Sequence, residues 1–184
     1  MKELSLNILD IAENSVKAGA TLTEITLSET DDTLTITIND DGCGMSKEIL
    51  ESVTNPFYTT RTTRPVGLGI PLFKLAAEQT GGNIEIHSKV KSESSDLHGT
   101  SVKALFYKNH IDFTPLGDLI STVTTLIFGH PDTDFLYVHK KDGKEIRLDT
   151  RELRSVLEDV PLNSYEVIEW IRDFLSEQYT SFDF

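Results

Sequence analysis

The chain has 184 residues with 30 acidic and 17 basic side chains, a formal charge of −13. That balance argues against nucleic acid or an anionic membrane as a partner, because phosphate recognition draws on clustered Lys and Arg. A single cysteine excludes an internal disulfide, no apolar run reaches the ~20 residues of a membrane span, and no secretion signal opens the chain, so a cytoplasmic protein is expected.

In chain order, residues 3–18 read as an amphipathic helix. Leu4, Ile8, Leu9, Ile11, Ala12 and Val16 fall on one arc, with Asp10, Asn14 and Lys17 opposite and Gly19 as the C-terminal stop. Residues 23–28 and 33–38 alternate Thr with aliphatic side chains and are joined by Glu29-Thr30-Asp31-Asp32, which predicts an antiparallel hairpin ending at Asp40. A short helix over 46–53 with Ser46 as N-cap follows, then a polar loop over 55–66. Helical periodicity resumes over 70–79, with Pro71 in the first turn and Gly81-Gly82 closing it, and residues 83–89 and 100–107 alternate as strands. This α, hairpin, α, loop, α, hairpin order gives an α/β (α+β) fold, a two-layer sandwich with helices on one face of a sheet.

Residues 109–184 read as a second, smaller mixed α/β unit after a first domain at 1–108. A helix is expected over 115–128, two strands over 135–139 and 145–148 around Asp142-Gly143, and helices over 150–158 and 164–179. This unit carries net −8 against −5 for the first 108 residues, and a docking role is its expected use.

Four segments carry chemistry. On the first helix, Asp10, Asn14 and Lys17 share a narrow stripe, where an Asn oxygen suits Mg²⁺, a Lys ammonium suits phosphate, and an Asp can activate water; the same stripe is also what any solvent-facing polar face looks like. At the strand end, Asp40-Asp41-Gly42-Cys43-Gly44-Met45 fixes a carboxylate beside two glycines that admit a close ligand. An ordinary Asp-Asp-Gly turn fits the same residues, whereas a dinucleotide turn does not, because Lys47 stands where the third glycine belongs. Gly67-Leu68-Gly69 opens a helix whose N-terminus suits an anion, and no Walker A loop occurs. The last strand begins His98-Gly99-Thr100-Ser101-Val102, where the Thr100 hydroxyl can support Asp40.

Taken together and in this order, the segments resemble the GHKL superfamily, the ATP-binding fold of sensor histidine kinases, the DNA mismatch-repair ATPase, DNA gyrase B and a heat-shock chaperone. Residues 10–20 look like the N-box, 40–45 like the D-x-G-x-G-M box, 57–61 like the P-F-x-T-T-K segment, 67–70 like G-L-G-L, and 99–102 like the closing G-T-x-[VF]; about 100 residues are covered. The resemblance implies ATP and Mg²⁺ as cofactors, with Asn14 on the metal, Lys17 on phosphate, and Asp40 bonding the adenine amino group, directly or through water shared with Thr100. It implies Gly42, Gly44 and Met45 around the base. It also implies a lid from Thr59 to Val66 in which Thr59, Thr60, Arg61 and Arg64 approach the nucleotide, and Gly67, Leu68 and Gly69 as hinge and phosphate-binding backbone.

Departures from the pattern shape the expected activity. Histidine kinases of the superfamily carry a phosphoacceptor His in a helix ahead of the ATP domain; no such helix is expected here, and none of the five histidines sits in such a motif. Asp10 stands where hydrolytic members have a Glu general base and is the candidate catalytic residue, one methylene shorter. The expected activity is a kinase-like regulatory subunit acting on a separate protein: a response regulator, a regulatory factor or a redox-enzyme component. The alternatives are a weak ATPase and a nucleotide-gated binding module.

Overall fold

A computed structural model of the chain describes residues 3–53, 68–92 and 97–182. In order these form α1 (Leu4–Lys17), β1 (Leu22–Glu29), β2 (Thr33–Asp40), α2 (Lys47–Ser52), α3 (Gly69–Gln79), β3 (Asn83–Lys89), β4 (Gly99–Tyr107), α4 (Leu119–Gly129), β5 (Asp134–Lys141), β6 (Lys144–Asp149), α5 (Thr150–Leu157) and α6 (Tyr165–Phe182). One sheet holds all six strands in the order β3-β4-β2-β1-β5-β6. The expected loop at 55–66 lies outside the described residues.

Strand alternation sets the layers. Ile25 and Leu27 of β1, Leu34, Ile36 and Ile38 of β2, Val102, Ala104 and Phe106 of β4, Phe135 and Tyr137 of β5, and Ile146 and Leu148 of β6 are all buried. Their registers, such as Ile25 opposite both Ile38 and Tyr137, put them on one face. The buried stripes of α1, α3, α4 and α6 cover that face, through residues such as Ile8, Phe73, Leu126 and Ile171. The two-layer α/β sandwich read from the sequence is the architecture observed.

The segment after residue 108 joins this architecture directly. β5 runs parallel to β1 with Thr23 opposite Phe135, and β6 pairs antiparallel with β5. The core is continuous through both parts of the chain, so the division at residue 108 follows chain order and is not a break in the sheet.

The helix expected over 115–128 begins later, at Leu119. The carbonyls of Pro115 and Leu116 accept the backbone N–H groups of Leu4 and Ser5 at 2.9 and 2.8 Å, satisfying the otherwise open first turn of α1. Gly117 then turns with φ +79°, and Asp118 caps α4 by accepting from Ser121 N at 2.8 Å. From there α4 travels alongside α1 in the same direction, with the Thr122 hydroxyl on the Ser5 carbonyl and His130 on Glu13.

Candidate functional site

The ends of α1, β2, α3 and β4 converge on the segments singled out by sequence. On α1, Asp10, Asn14 and Lys17 are exposed while Ile8, Ile11, Ala12 and Ser15 are buried, so the polar stripe faces outward as its periodicity requires. A Cβ at Gly69 would lie 3.2 Å from the Asp10 Cβ and 3.8 Å from Asn14 Nδ2. The first turn of α3 therefore rests directly on the Asp10–Asn14 stripe, where a side chain at position 69 would push Asp10 back by a few tenths of an ångström. Among the described residues Leu68 precedes that turn without a side-chain cap, and the first N–H groups of α3 lie beside Asn14.

Asp40 closes β2 and is held by neutral donors. Its Oδ2 accepts from the Ser15 hydroxyl at 2.8 Å, and its Oδ1 accepts from Gly42 N at 2.9 Å and Thr100 N at 3.2 Å. Among the described residues no cation pairs with it. Asp41, by contrast, turns back to the start of β1. Thr21 N and Leu22 N donate to it at 2.7 and 2.9 Å, as does the Thr21 hydroxyl. Burial pushes its carboxyl up, but these donors hold it below the usual carboxylate range.

The loop beyond is fixed by backbone fit. Gly42 sits on Ala18, where a Cβ would meet the Ala18 Cβ at 2.9 Å. Cys43 N donates to Ala18 O at 2.9 Å. Gly44 has φ +71°, and a side chain there would collide with the Lys89 carbonyl. Ser88 ties the loop to the sheet: its Oγ accepts from Met45 N at 2.8 Å and lies 2.9 Å from the Thr100 hydroxyl. His98 Nδ1 lies 2.7 Å from the Gly42 carbonyl; since a carbonyl only accepts, that nitrogen carries the proton.

The structure thus brings Asp10, Asn14, Asp40, Gly42, Gly44, Met45, Gly69 and Thr100 to one end of the sheet and helix layers. Two expectations change in detail. Thr100 supports Asp40 with its backbone N–H, because the register sets Asp40 opposite Thr100, and its hydroxyl turns to Ser88. Lys17 Nζ is 3.5 Å from Glu13 Oε2 on the exposed side of α1. Thr59, Thr60, Arg61, Arg64 and Gly67 lie outside the described residues. Ser15, Ser88 and His98 are the positions that sequence reading passed over as partners. Ser15 had a signal, a hydroxyl in the middle of the largely apolar arc of α1, while the other two depend on contacts across the sheet.

Charge on the stripe is uneven. Burial pushes the Asp10 carboxyl above its ordinary value, opposed by Lys17 and reinforced by Glu13. Burial also pushes Glu13 up, but His130, with Nε2 at 2.7 Å from Oε1, and Lys17 together hold it below the usual range.

Comparison with known proteins shows the family. The family model of the histidine kinase-, DNA gyrase B- and HSP90-like ATPases matches residues 2–110. The sensor histidine kinase CpxA of Escherichia coli (strain K12) is 34% identical over 95 residues, 49% of this chain and 20% of that protein. Sporulation kinase C of Bacillus subtilis (strain 168) is 28% identical over 89 residues, 48% of this chain and 20% of that protein. The chain thus spans about a fifth of the length of these curated relatives. A crystal structure of the N-terminal domain of a DNA repair protein shares the fold, with a TM-score of 0.55 at 14% identity over 81% of this chain and 53% of that one. Among the described residues no helix is long and apolar enough to cross a membrane. With the family matched over more than half its length, the chain belongs to the histidine kinase-, DNA gyrase B- and HSP90-like ATPases.

Proposed function

We propose that the chain binds Mg·ATP at the junction of α1, β2, α3 and β4 and acts as a kinase-like regulatory subunit on a separate protein. The observation that carries this reading is the state of Asp40. A carboxylate offers about four acceptor sites, and three are taken by Ser15, Gly42 and Thr100. The remaining site on Oδ2 suits a donor such as the adenine amino group, and no cation competes for it among the described residues.

The other residues fit the same ligand. Asn14 offers a neutral oxygen for Mg²⁺, which normally takes few protein ligands and relies on phosphate and water for the rest. The uncapped start of α3, with Gly69 against Asn14, suits phosphate oxygens, and Arg61 and Arg64 are the candidate lid contacts. The acidic segment from 109 onward serves as the docking part. When bound, Mg·ATP supplies the transferable phosphoryl group; the chain's own part is to orient it and exclude water.

Titration of the full chain with ATP, with and without Mg²⁺, tests the site. Asn14→Ala is expected to abolish the gain in affinity that Mg²⁺ brings, with the fold retained; an undiminished Mg²⁺ effect would overturn the metal assignment. Incubation of a candidate partner with γ-labelled ATP tests transfer. A slow ATPase is the second reading, favoured by the place of Asp10 on the stripe one turn before Asn14 and against the first turn of α3. Phosphate release by the isolated protein, lost in Asp10→Asn, would single it out.

A further inference from the structure

We infer that Glu13 is a positioning residue that sets how far Lys17 is available to a nucleotide phosphate, and that His130 governs Glu13 from the C-terminal segment. This rests on the reading of the Asp10–Asn14–Lys17 stripe as part of the Mg·ATP site. Its basis is one carboxylate shared between two partners. Glu13 Oε2 lies 3.5 Å from Lys17 Nζ, one turn along α1, and Oε1 lies 2.7 Å from His130 Nε2. The shorter contact is the better hydrogen bond, and because a carboxylate only accepts, Nε2 carries its proton.

The two contacts draw on the same charge. A firm bond to His130 turns the carboxylate toward α4 and leaves Lys17, whose side chain is 56% exposed, free to swing toward an anion. Loss of that bond returns the whole carboxylate to Lys17, which is then held on Glu13 and less available to a polyphosphate approaching the same face. Exposed pairs of this kind are weak, so the effect amounts to roughly a two- to fivefold change in affinity.

His130 is well placed to report on the rest of the segment. It is the C-cap residue of α4, with its backbone N–H on the Leu126 carbonyl at 3.0 Å. The next residue, Pro131, gives its carbonyl to Arg154 of α5, which also holds Asp134 at the start of β5 through Nε at 2.7 Å. Where α4 ends along α1 therefore decides whether His130 reaches Glu13. A partner that shifts the acidic segment would change phosphate affinity without touching the nucleotide.

The test measures the affinity of the full chain for Mg·ATP and, by competition, for adenosine, which lacks phosphate. Glu13→Gln is expected to tighten Mg·ATP by roughly two- to fivefold and to leave adenosine unchanged. His130→Ala is expected to weaken Mg·ATP by roughly twofold, His130→Gln to restore it through an amide donor, and His130→Ala to have no effect in the Glu13→Gln background. Wild-type protein that binds no Mg·ATP would sink the site reading and this inference with it. Wild-type binding with both single variants unchanged, or additive effects in the double variant, would overturn the inference alone. So would equal shifts for ATP and adenosine, which would make Glu13 merely structural.

Discussion

Twice in this chain a helix leads into a hairpin whose second strand ends on an aspartate, Asp40 after β2 and Asp149 after β6, and the two carboxylates are treated in opposite ways. Asp149 is 5% exposed and enclosed by cations. Arg151 reaches both its oxygens, at 2.9 and 2.7 Å, Arg147 adds a bond at 2.8 Å, and Arg151 N donates at 3.1 Å as α5 begins. The Arg151 hydrogen bond holds its carboxyl below the usual range. Asp40 has only a hydroxyl and two backbone N–H groups, all neutral. Asp149 is closed off by cations of its own chain, whereas Asp40, at the same end of the layers as Asn14 and Gly69 and not folded back on a strand start as Asp41 is, has an acceptor position left over.

The sharpest way to break this contrast is Asp40→Asn. The amide keeps an oxygen for Gly42 and Thr100 and can donate to Ser15, so the fold should survive. Mg·ATP affinity should fall by roughly a hundredfold or more, the scale of losing a charged hydrogen bond and leaving a donor unmatched; calorimetric titration with unchanged affinity would defeat the reading.

Glu29 extends the contrast to a third carboxylate. Burial pushes it up, but His139 at 2.8 Å and Lys108 at 2.7 Å outweigh this and bring it from 4.5 to about 2. A carboxyl depressed in the folded state contributes stability that is present above about pH 4.5 and is lost as pH falls toward about 2. At most this is on the order of 3 kcal/mol, and Glu29→Gln should flatten that acid limb in thermal unfolding measured across pH.

Next in size, Asp149→Asn should cost roughly 1–3 kcal/mol of stability by unbalancing Arg147 and Arg151 and weakening the α5 cap. Mg·ATP affinity should not move, and a joint loss of binding would erase the distinction between the two aspartates. Smallest, Ser15→Ala should weaken Mg·ATP severalfold and cost about 1 kcal/mol, the scale of one hydrogen bond, read by titration and by denaturant midpoint.

Much of this was legible in the sequence because the signals are local. Helical period placed Asp10, Asn14 and Lys17 on one face. Strand alternation and the Gly-rich turn placed Asp40 at a strand end. What stayed hidden depends on partners distant in the chain. Nothing near residue 100 says that its backbone rather than its hydroxyl would meet Asp40; the β2–β4 register decides that. Nothing near residue 115 says that its carbonyl would finish α1, which is why the start of α4 reads too early. The pairing of β5 with β1 has no local mark either, since alternation shows that a strand exists and not what it lies beside.

That pairing has a consequence for how the protein is made. β1 is paired with β2 after only a three-residue connection, but its other edge waits for β5, whose first residue, Asp134, follows the end of β1 by about a hundred residues. During synthesis the outer edge of β1 stands open while the sites on α1 and β2 are already in the emerged chain. An open strand edge is a template for pairing with another molecule. Glu24, Thr26 and Ser28, on the face of β1 away from the core, keep that strand polar on one side until β5 arrives to close its edge.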